Sequence, residues 1–168
     1  MATTYTLISS ATVGSGGAAN IEFTSIPSTY TDLVLKTSLR TDRALEVDGV
    51  LLSLNNSTSN FTARRLLGDG STATSDTATT ALPVANAATG TSNTFNNCEV
   101  YFSNYAGATN KSYSADGVAE NNTTFGRNDL VAGLWSDTSV ITSIKLTPAI
   151  GTNFVQYSTA YLYGISNA

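Results

Sequence analysis

Residues 31–41 read TDLVLKTSLRT, and apolar and polar side chains alternate along them. Leu33, Leu35 and Leu39 share one face of this segment, whereas Lys36 lies on the other. Alternation of this kind indicates a β-strand that buries one face and leaves the other in water. We therefore predict a half-buried strand over residues 31–41.

The same alternation recurs along most of the chain, and no segment shows helical periodicity with a cap at each end. The composition agrees, because Thr favours strands while Ser, Asn and Gly favour turns. Strands are predicted over residues 4–13, 31–41, 49–55, 59–67, 94–104, 111–119, 129–136, 140–147 and 154–165. A further short strand is predicted to start at Ile21 and Phe23 and to be closed by Ile26-Pro27-Ser28. This set predicts an all-β fold, a two-sheet antiparallel sandwich that fills one domain over residues 1–168. A jelly roll is the first choice of topology, and an immunoglobulin-like sandwich is the alternative, weakened by the missing pair of cysteines.

Two finer features follow from the turn signals. The stretch Asn55-Asn56-Ser57-Thr58 predicts a turn that joins residues 49–55 and 59–67 in a hairpin. Residues 68–92 are rich in Thr, Ala, Ser and Gly, and they predict a long polar excursion from the sandwich. We expect this excursion to contact a neighbouring subunit or a larger assembly.

The composition argues against catalysis. The chain has no histidine and only one cysteine. A histidine-based catalytic triad and a histidine-ligated zinc site are therefore excluded. Cys98 is predicted to be a small core residue, because no histidine is present to activate its thiol. We expect a protein that is not an enzyme and that needs no cofactor or metal.

Acidic residues offer the remaining route to catalysis, as a carboxylate pair. Asp42, Glu46 and Asp48 cluster in a predicted loop, and Glu120 and Asp129 flank another. Twelve acidic residues in a domain of this size give such neighbours by chance. The sequence therefore predicts no catalytic pair.

Charge and hydropathy narrow the class of partner. The formal net charge is -4, and only Arg64 and Arg65 are adjacent among the eight basic residues. A nucleic-acid-binding domain normally carries a basic patch, so we expect no nucleic-acid partner. No apolar run approaches the length of a membrane span, and the N-terminus lacks a secretory signal, so we expect no membrane partner.

Aromatic residues supply candidate contact residues. The last predicted strand places Tyr157, Tyr161 and Tyr163 on one face, and Trp135 lies opposite Leu134 on its own strand. Aromatic side chains of this kind either pack in the core or form an interface, and the pattern leaves open which face of the last strand is core. The candidate interface residues are Arg64, Arg65, Trp135, Tyr157, Tyr161 and Tyr163.

Four stretches carry a resemblance to known proteins. They are YTLISS at 5–10, IPSTYTDL at 26–33, NYAG at 104–107 and QYSTAYLYGI at 156–165. With these stretches the chain resembles small β-structural proteins of tailed bacteriophages. The resemblance implies a virion structural role, either as a capsid decoration (cement) protein or as a tail or fibre module.

The two roles differ in their expected context. A single domain that starts at its own Met1 favours a stand-alone decoration protein on the outer capsid surface. The resemblance and the symmetry of a shell then imply the major capsid protein as partner and self-association as a homotrimer. The alternative is a receptor- or carbohydrate-binding tail or fibre module.

Overall fold

The fold is described by a computed structural model, which covers residues 4–78, 81–122 and 125–166. These residues contain twelve β-strands and no helix, and hence no helix long and apolar enough to cross a membrane. The strands are β1 (Tyr5–Thr12), β2 (Ile21–Phe23), β3 (Asp32–Ser38), β4 (Val47–Leu54), β5 (Phe61–Gly68), β6 (Ala73–Ala78), β7 (Ala81–Asn86), β8 (Asn97–Phe102), β9 (Lys111–Ala119), β10 (Arg127–Trp135), β11 (Ile144–Pro148) and β12 (Thr159–Ile165).

The strands form two antiparallel sheets. The large sheet has the order β1-β12-β3-β8-β9-β10-β5-β6, and the small sheet has the order β2-β11-β4-β7. The ladders β1·β12, β2·β11, β3·β8 and β4·β7 make one long two-stranded ribbon that alternates between the sheets. A ribbon folded in this way is a jelly roll. The predicted all-β, two-sheet, jelly-roll-like sandwich is confirmed.

Two hairpin-like insertions widen the large sheet. Strands β5 and β6 lie between β4 and β7 in the chain, and β9 and β10 lie between β8 and β11. All four add to the large sheet beyond β8. The large sheet is therefore twice as wide as the small one.

The core lies between the two sheets. On β3 the side chains of Leu33 and Leu35 are fully buried, as the alternation in this segment predicts. On β12 the fully buried side chains are those of Ala160 and Leu162, so the face that carries Tyr161 and Tyr163 points away from the core. Cys98 is buried on β8, which confirms its predicted place in the core.

The predicted hairpin of 49–55 with 59–67 is wrong. A turn does follow β4, with left-handed backbone at Asn55 and Asn56, but β4 pairs with β11 and β7 while β5 pairs with β10 and β6. The Asn55 side chain bonds the 140–143 segment, where its amide donates to the Val140 carbonyl at 2.8 Å. This turn therefore carries the chain from one sheet to the other.

The predicted excursion at 68–92 is also wrong. The segment contributes β6 to the edge of the large sheet and β7 to the edge of the small one. Residues 82–87 are all buried, although the sequence indicated a segment too polar for the core. Pro83 fits because β7 is an edge strand, where a missing N–H breaks no ladder.

One glycine on β10 makes room for a core aromatic ring. Gly133 lies directly opposite Tyr113 of β9, and a Cβ added at Gly133 would lie 2.0 Å from Cζ of that ring. The Tyr113 ring in turn packs against Phe102, with centroids 5.7 Å apart. The missing side chain is thus required for the packing of neighbouring strands.

We predict that Gly133→Ala lowers the free energy of unfolding by about 1–3 kcal/mol, because the added methyl group overpacks the core. Gly14→Ala is the matched control, since nothing lies within 4 Å of a Cβ at Gly14. It should change the stability by less than about 0.5 kcal/mol. Urea unfolding of both variants measures the difference, and equal stabilities would contradict the packing argument.

Candidate docking surface on the large sheet

The surface of the large sheet that faces away from the small sheet is hereafter the outer face. Nine large apolar side chains are exposed among the described residues. Six of them lie on the outer face, and the other three lie in loops. The six are Tyr5, Leu7, Leu66, Val118, Leu130 and Tyr161. Exposed apolar residues concentrated on one face are typical of interaction surfaces, so the outer face is the candidate docking surface.

One row of paired residues crosses all eight strands of the outer face. From β1 to β6 it runs Ser10, Tyr161, Lys36, Glu99, Asp116, Leu130, Leu66 and Ser75. Between a serine at each end, the row runs from an aromatic side chain through three charged ones to two leucines. Polar and apolar groups therefore alternate in blocks across the sheet.

The leucines form one wall of an open groove. Leu66 and Leu130 are directly paired, and each is 54% exposed. The groove has a volume of about 640 Å³, and it extends past Val118 to Lys36 and Glu99. A partner side chain can thus reach apolar and charged groups at the same place.

The charges in the groove are not balanced. Lys36 Nζ lies 2.7 Å from Glu99 Oε2, and the hydrogen bond with Glu99 raises the pKa of Lys36. Asp116 lies opposite Glu99 in the register, so two carboxylates face one lysine. Like charges directly opposite each other are unfavourable. A basic group of a partner would relieve this repulsion.

Tyrosines occupy the other end of the outer face. The rings of Tyr5 and Tyr163 meet edge to face at 6.2 Å. The Tyr101 hydroxyl donates to Asp32 Oδ2 at 2.6 Å, and this hydrogen bond raises the pKa of Tyr101 to about 12. Asp32 also accepts a bond from the Asn104 backbone at 2.7 Å, so this end of the surface is held in place.

Three of the six predicted interface residues lie on this surface. Arg64, Tyr161 and Tyr163 point outward, since each pairs with other outward residues of the large sheet. Arg65 points to the opposite side, where its Nε donates to Asp76 Oδ1 at 3.1 Å. The adjacent arginines therefore do not form one basic patch.

The other two lie elsewhere. Trp135 is 1% exposed and stacks on Phe61, so it packs in the core and offers no surface to a partner. Tyr157 precedes β12 and belongs to a loop at the end of the sandwich. We leave Trp135 out of the candidate surface for this reason.

Sequence reasoning missed Leu66, Val118 and Leu130. Alternation placed Leu130 opposite Val131, but both faces of β10 are apolar, so the pattern does not say which is buried. The structure buries Val131 and exposes Leu130. Two apolar faces on one strand indicate that one of them is exposed, and this was the only sign of the surface in the sequence of β10.

The candidate catalytic carboxylates serve the backbone. Asp42 Oδ1 accepts bonds from the N–H groups of Thr152 and Asn153, and Asp48 Oδ2 accepts one from Gly151. Asp129 Oδ2 accepts from the Val84 N–H, and its other oxygen bonds Arg127. In the described part of the chain, no group of three or more His, Cys, Asp or Glu residues is placed to hold a metal ion.

Comparison of this chain with protein-family models, with curated proteins and with solved structures finds no match. The outer face therefore has to be interpreted from its geometry and chemistry.

We predict that Asp42→Asn destabilises the fold at pH 7 but not in strong acid. Burial alone would raise the pKa of Asp42. The hydrogen bonds from Asn153 and Thr152 outweigh burial and lower this pKa below its usual 3.8. A lowered pKa adds stability above the unfolded-state value, and this stability is lost as the pH falls through the folded-state value. Melting temperatures of the two proteins at pH 7 should differ, and the gap should close near about pH 2. A gap of the same size at both pH values would contradict this account.

We predict that Cys98 does not react with thiol reagents in the native protein. Burial raises the pKa of its thiol to about 12, so thiolate is scarce at pH 8. Ellman's reagent should label no cysteine in the native protein and the single cysteine after unfolding in urea. Rapid labelling of the native protein would overturn the prediction.

Proposed function

We propose that this chain is a virion structural protein, a capsid decoration (cement) protein that binds the outer shell of a bacteriophage through the outer face of its large sheet. Its partner is the major capsid protein, and it associates as a homotrimer on the shell. The proposal includes no catalytic activity. Two observations support the proposal: the resemblance of the sequence to phage β-structural proteins, and the exposed apolar side chains of the outer face.

The observation that carries the proposal is the concentration of exposed apolar side chains on the outer face. A single exposed leucine is ordinary, but contiguous apolar groups rimmed by polar ones are typical of interaction sites. Leu66 and Leu130 form such a pair, and Lys36 and Glu99 lie at the edge of the same groove. The groove thus places an apolar pair beside charged side chains, and protein interfaces likewise combine apolar and polar contacts.

The groove also indicates the chemistry of the partner surface. Asp116 lies between Glu99 and Leu130 in the row across the sheet. An apolar side chain of the shell would contact the leucines, and a neighbouring lysine or arginine would bind Asp116. We expect such a combination on the capsid protein.

The second candidate is a receptor- or carbohydrate-binding tail or fibre module. Tyrosines on the outer face favour it, because Tyr5, Tyr161 and Tyr163 cluster on β1 and β12. The copy number in purified virions distinguishes the two. A decoration protein follows the symmetry of the shell and reaches on the order of hundreds of copies, whereas a tail module is present in far fewer.

The docking prediction is tested with Leu66→Asp/Leu130→Asp. Purified protein is added to capsids that lack it, and occupancy is measured after sedimentation. We expect at least about a tenfold loss of apparent affinity, since two buried apolar contacts are removed and two charges are added beside Asp116.

The matched control is Leu45→Asp, because Leu45 is 52% exposed but lies in a loop away from the sheet. It should bind like the unchanged protein. Circular dichroism checks that each variant keeps its strands. Unchanged occupancy of the double variant would overturn the assignment of the outer face, and failure of the unchanged protein to bind capsids would overturn the decoration role.

A further inference from the structure

Tyr157 has an unusual backbone and an exposed side chain. Its φ is 72°, in the left-handed region, and it is 65% exposed. The other non-glycine residues with positive φ in the described chain are six asparagines and one serine. Asparagine adopts this conformation at small cost, whereas a bulky side chain does so rarely. The exposed ring contributes little to the core, so the fold alone does not account for a tyrosine at this position.

The surrounding structure holds Tyr157 in this conformation. Its N–H donates to the Val13 carbonyl at 3.0 Å. The next residue, Ser158, is fully buried, and its hydroxyl oxygen lies 3.1 Å from both the backbone nitrogen and the carbonyl oxygen of Arg40. Strained residues that are fixed in this way occur at binding sites, where the side chain is presented in one orientation.

A small pocket lies beside the tyrosine. It is at the end of the sandwich where β1 and β3 finish and β8 and β12 begin. Its volume is about 280 Å³, near the lower end of the range for ligand sites. Its lining residues besides Tyr157 are Arg40, Ser92, Asn93, Phe95, Val155 and Gln156.

The wall opposite the tyrosine is held by Arg40. The guanidinium donates to the backbone carbonyls of Ala88, Gly90, Thr91 and Thr94 at 2.8 to 3.3 Å. These bonds fix the loop that carries Asn93 and Phe95. They also occupy the terminal nitrogens of the only charged residue in the lining.

We propose that this pocket binds a neutral sugar ring, with Tyr157 stacked on the apolar face of the ring. The lining combines two aromatic side chains with the uncharged donors and acceptors of Ser92, Asn93 and Gln156. Sugar hydroxyls need such groups, and the C–H face of a pyranose packs on an aromatic ring. An anionic ligand is disfavoured because the terminal nitrogens of Arg40 already donate hydrogen bonds to backbone carbonyls.

The sugar site is separate from the docking role. Its residues lie after β3 and on the loops before β8 and β12, whereas the docking residues Leu66 and Leu130 lie on β5 and β10. A protein attached to a shell through the outer face could still present this end to solvent. Failure of one proposal therefore leaves the other standing.

The test is titration of the labelled protein, followed by nuclear magnetic resonance, with neutral hexoses, N-acetylhexosamines and their disaccharides. We expect at least one of these sugars at about 10 mM to shift the backbone signals of residues 92–95 and 155–158, since a site with Kd near 1 mM would then be mostly filled. No shift with any sugar of the panel, or shifts only with a hexuronic acid titrated as the anionic comparison, would overturn the proposal.

Tyr157→Asn removes the aromatic ring but allows the same left-handed backbone conformation, so it tests the role of the ring alone. Asparagine accepts the left-handed conformation, so the melting temperature should rise by about 2–4 °C while sugar binding is lost. Tyr157→Phe keeps the ring and should bind within about threefold of the unchanged protein. Ile150→Ala is the matched control and should bind sugar normally, because Ile150 is 68% exposed in the loop after β11 and does not line the pocket. Binding that survives in Tyr157→Asn, or is lost in Tyr157→Phe, would overturn the stacking role.

Discussion

Coverage of the inner face of the large sheet is the constraint on which this structure depends. A sheet with one apolar face must bury it against another layer. Here eight strands face a small sheet of only four. The jelly-roll half of the large sheet consists of β1, β12, β3 and β8, and β9, β10, β5 and β6 extend the sheet beyond it. Strand β7 contacts β9 and β10, and Pro83 of β7 lies where a side chain at Gly117 would be. The small sheet thus reaches part of the extension.

Polar interactions stabilise the outer strands of the large sheet, where apolar cover by the small sheet ends. Asp129 is buried on β10, and it is satisfied by Arg127 and by the Val84 N–H of β7. Farther out, the hydrogen bond from Arg65 lowers the pKa of Asp76 on β6. Strand β6 itself has almost no buried side chain. The outermost strands therefore depend on their ladders and on ion pairs, and the wide sheet gains an outer surface that a four-stranded sheet would lack. The proposed docking role uses this added width.

Two buried cations hold the loops at opposite ends of the sandwich. Arg40 binds the 88–94 loop at the end where β8 begins, and Lys111 binds loop carbonyls at the end where β8 finishes. The Lys111 ammonium donates to the carbonyls of Gly107, Thr109 and Thr138. Burial lowers the pKa of both residues. Buried charges are tolerated only when they are well bonded, and here backbone carbonyls provide the bonds. The first of these cations thus positions the loop that lines the small pocket together with Tyr157.

The sequence by itself determined the fold class and, for strands with one polar face, which face is buried. Alternation is local, so β3 could be assigned with its buried leucines, and the core position of Cys98 followed from its chemistry. Pairing is not local, and only the tertiary structure decided it. The turn at Asn55 resembles a hairpin turn but joins two sheets, because β5 finds its partners in β10 and β6. Strand β6 has no large apolar residue and becomes a strand only by pairing with β5. Likewise, two apolar faces on β10 left the choice between Leu130 and Val131 to the layer that packs against them, and that choice created the outer surface.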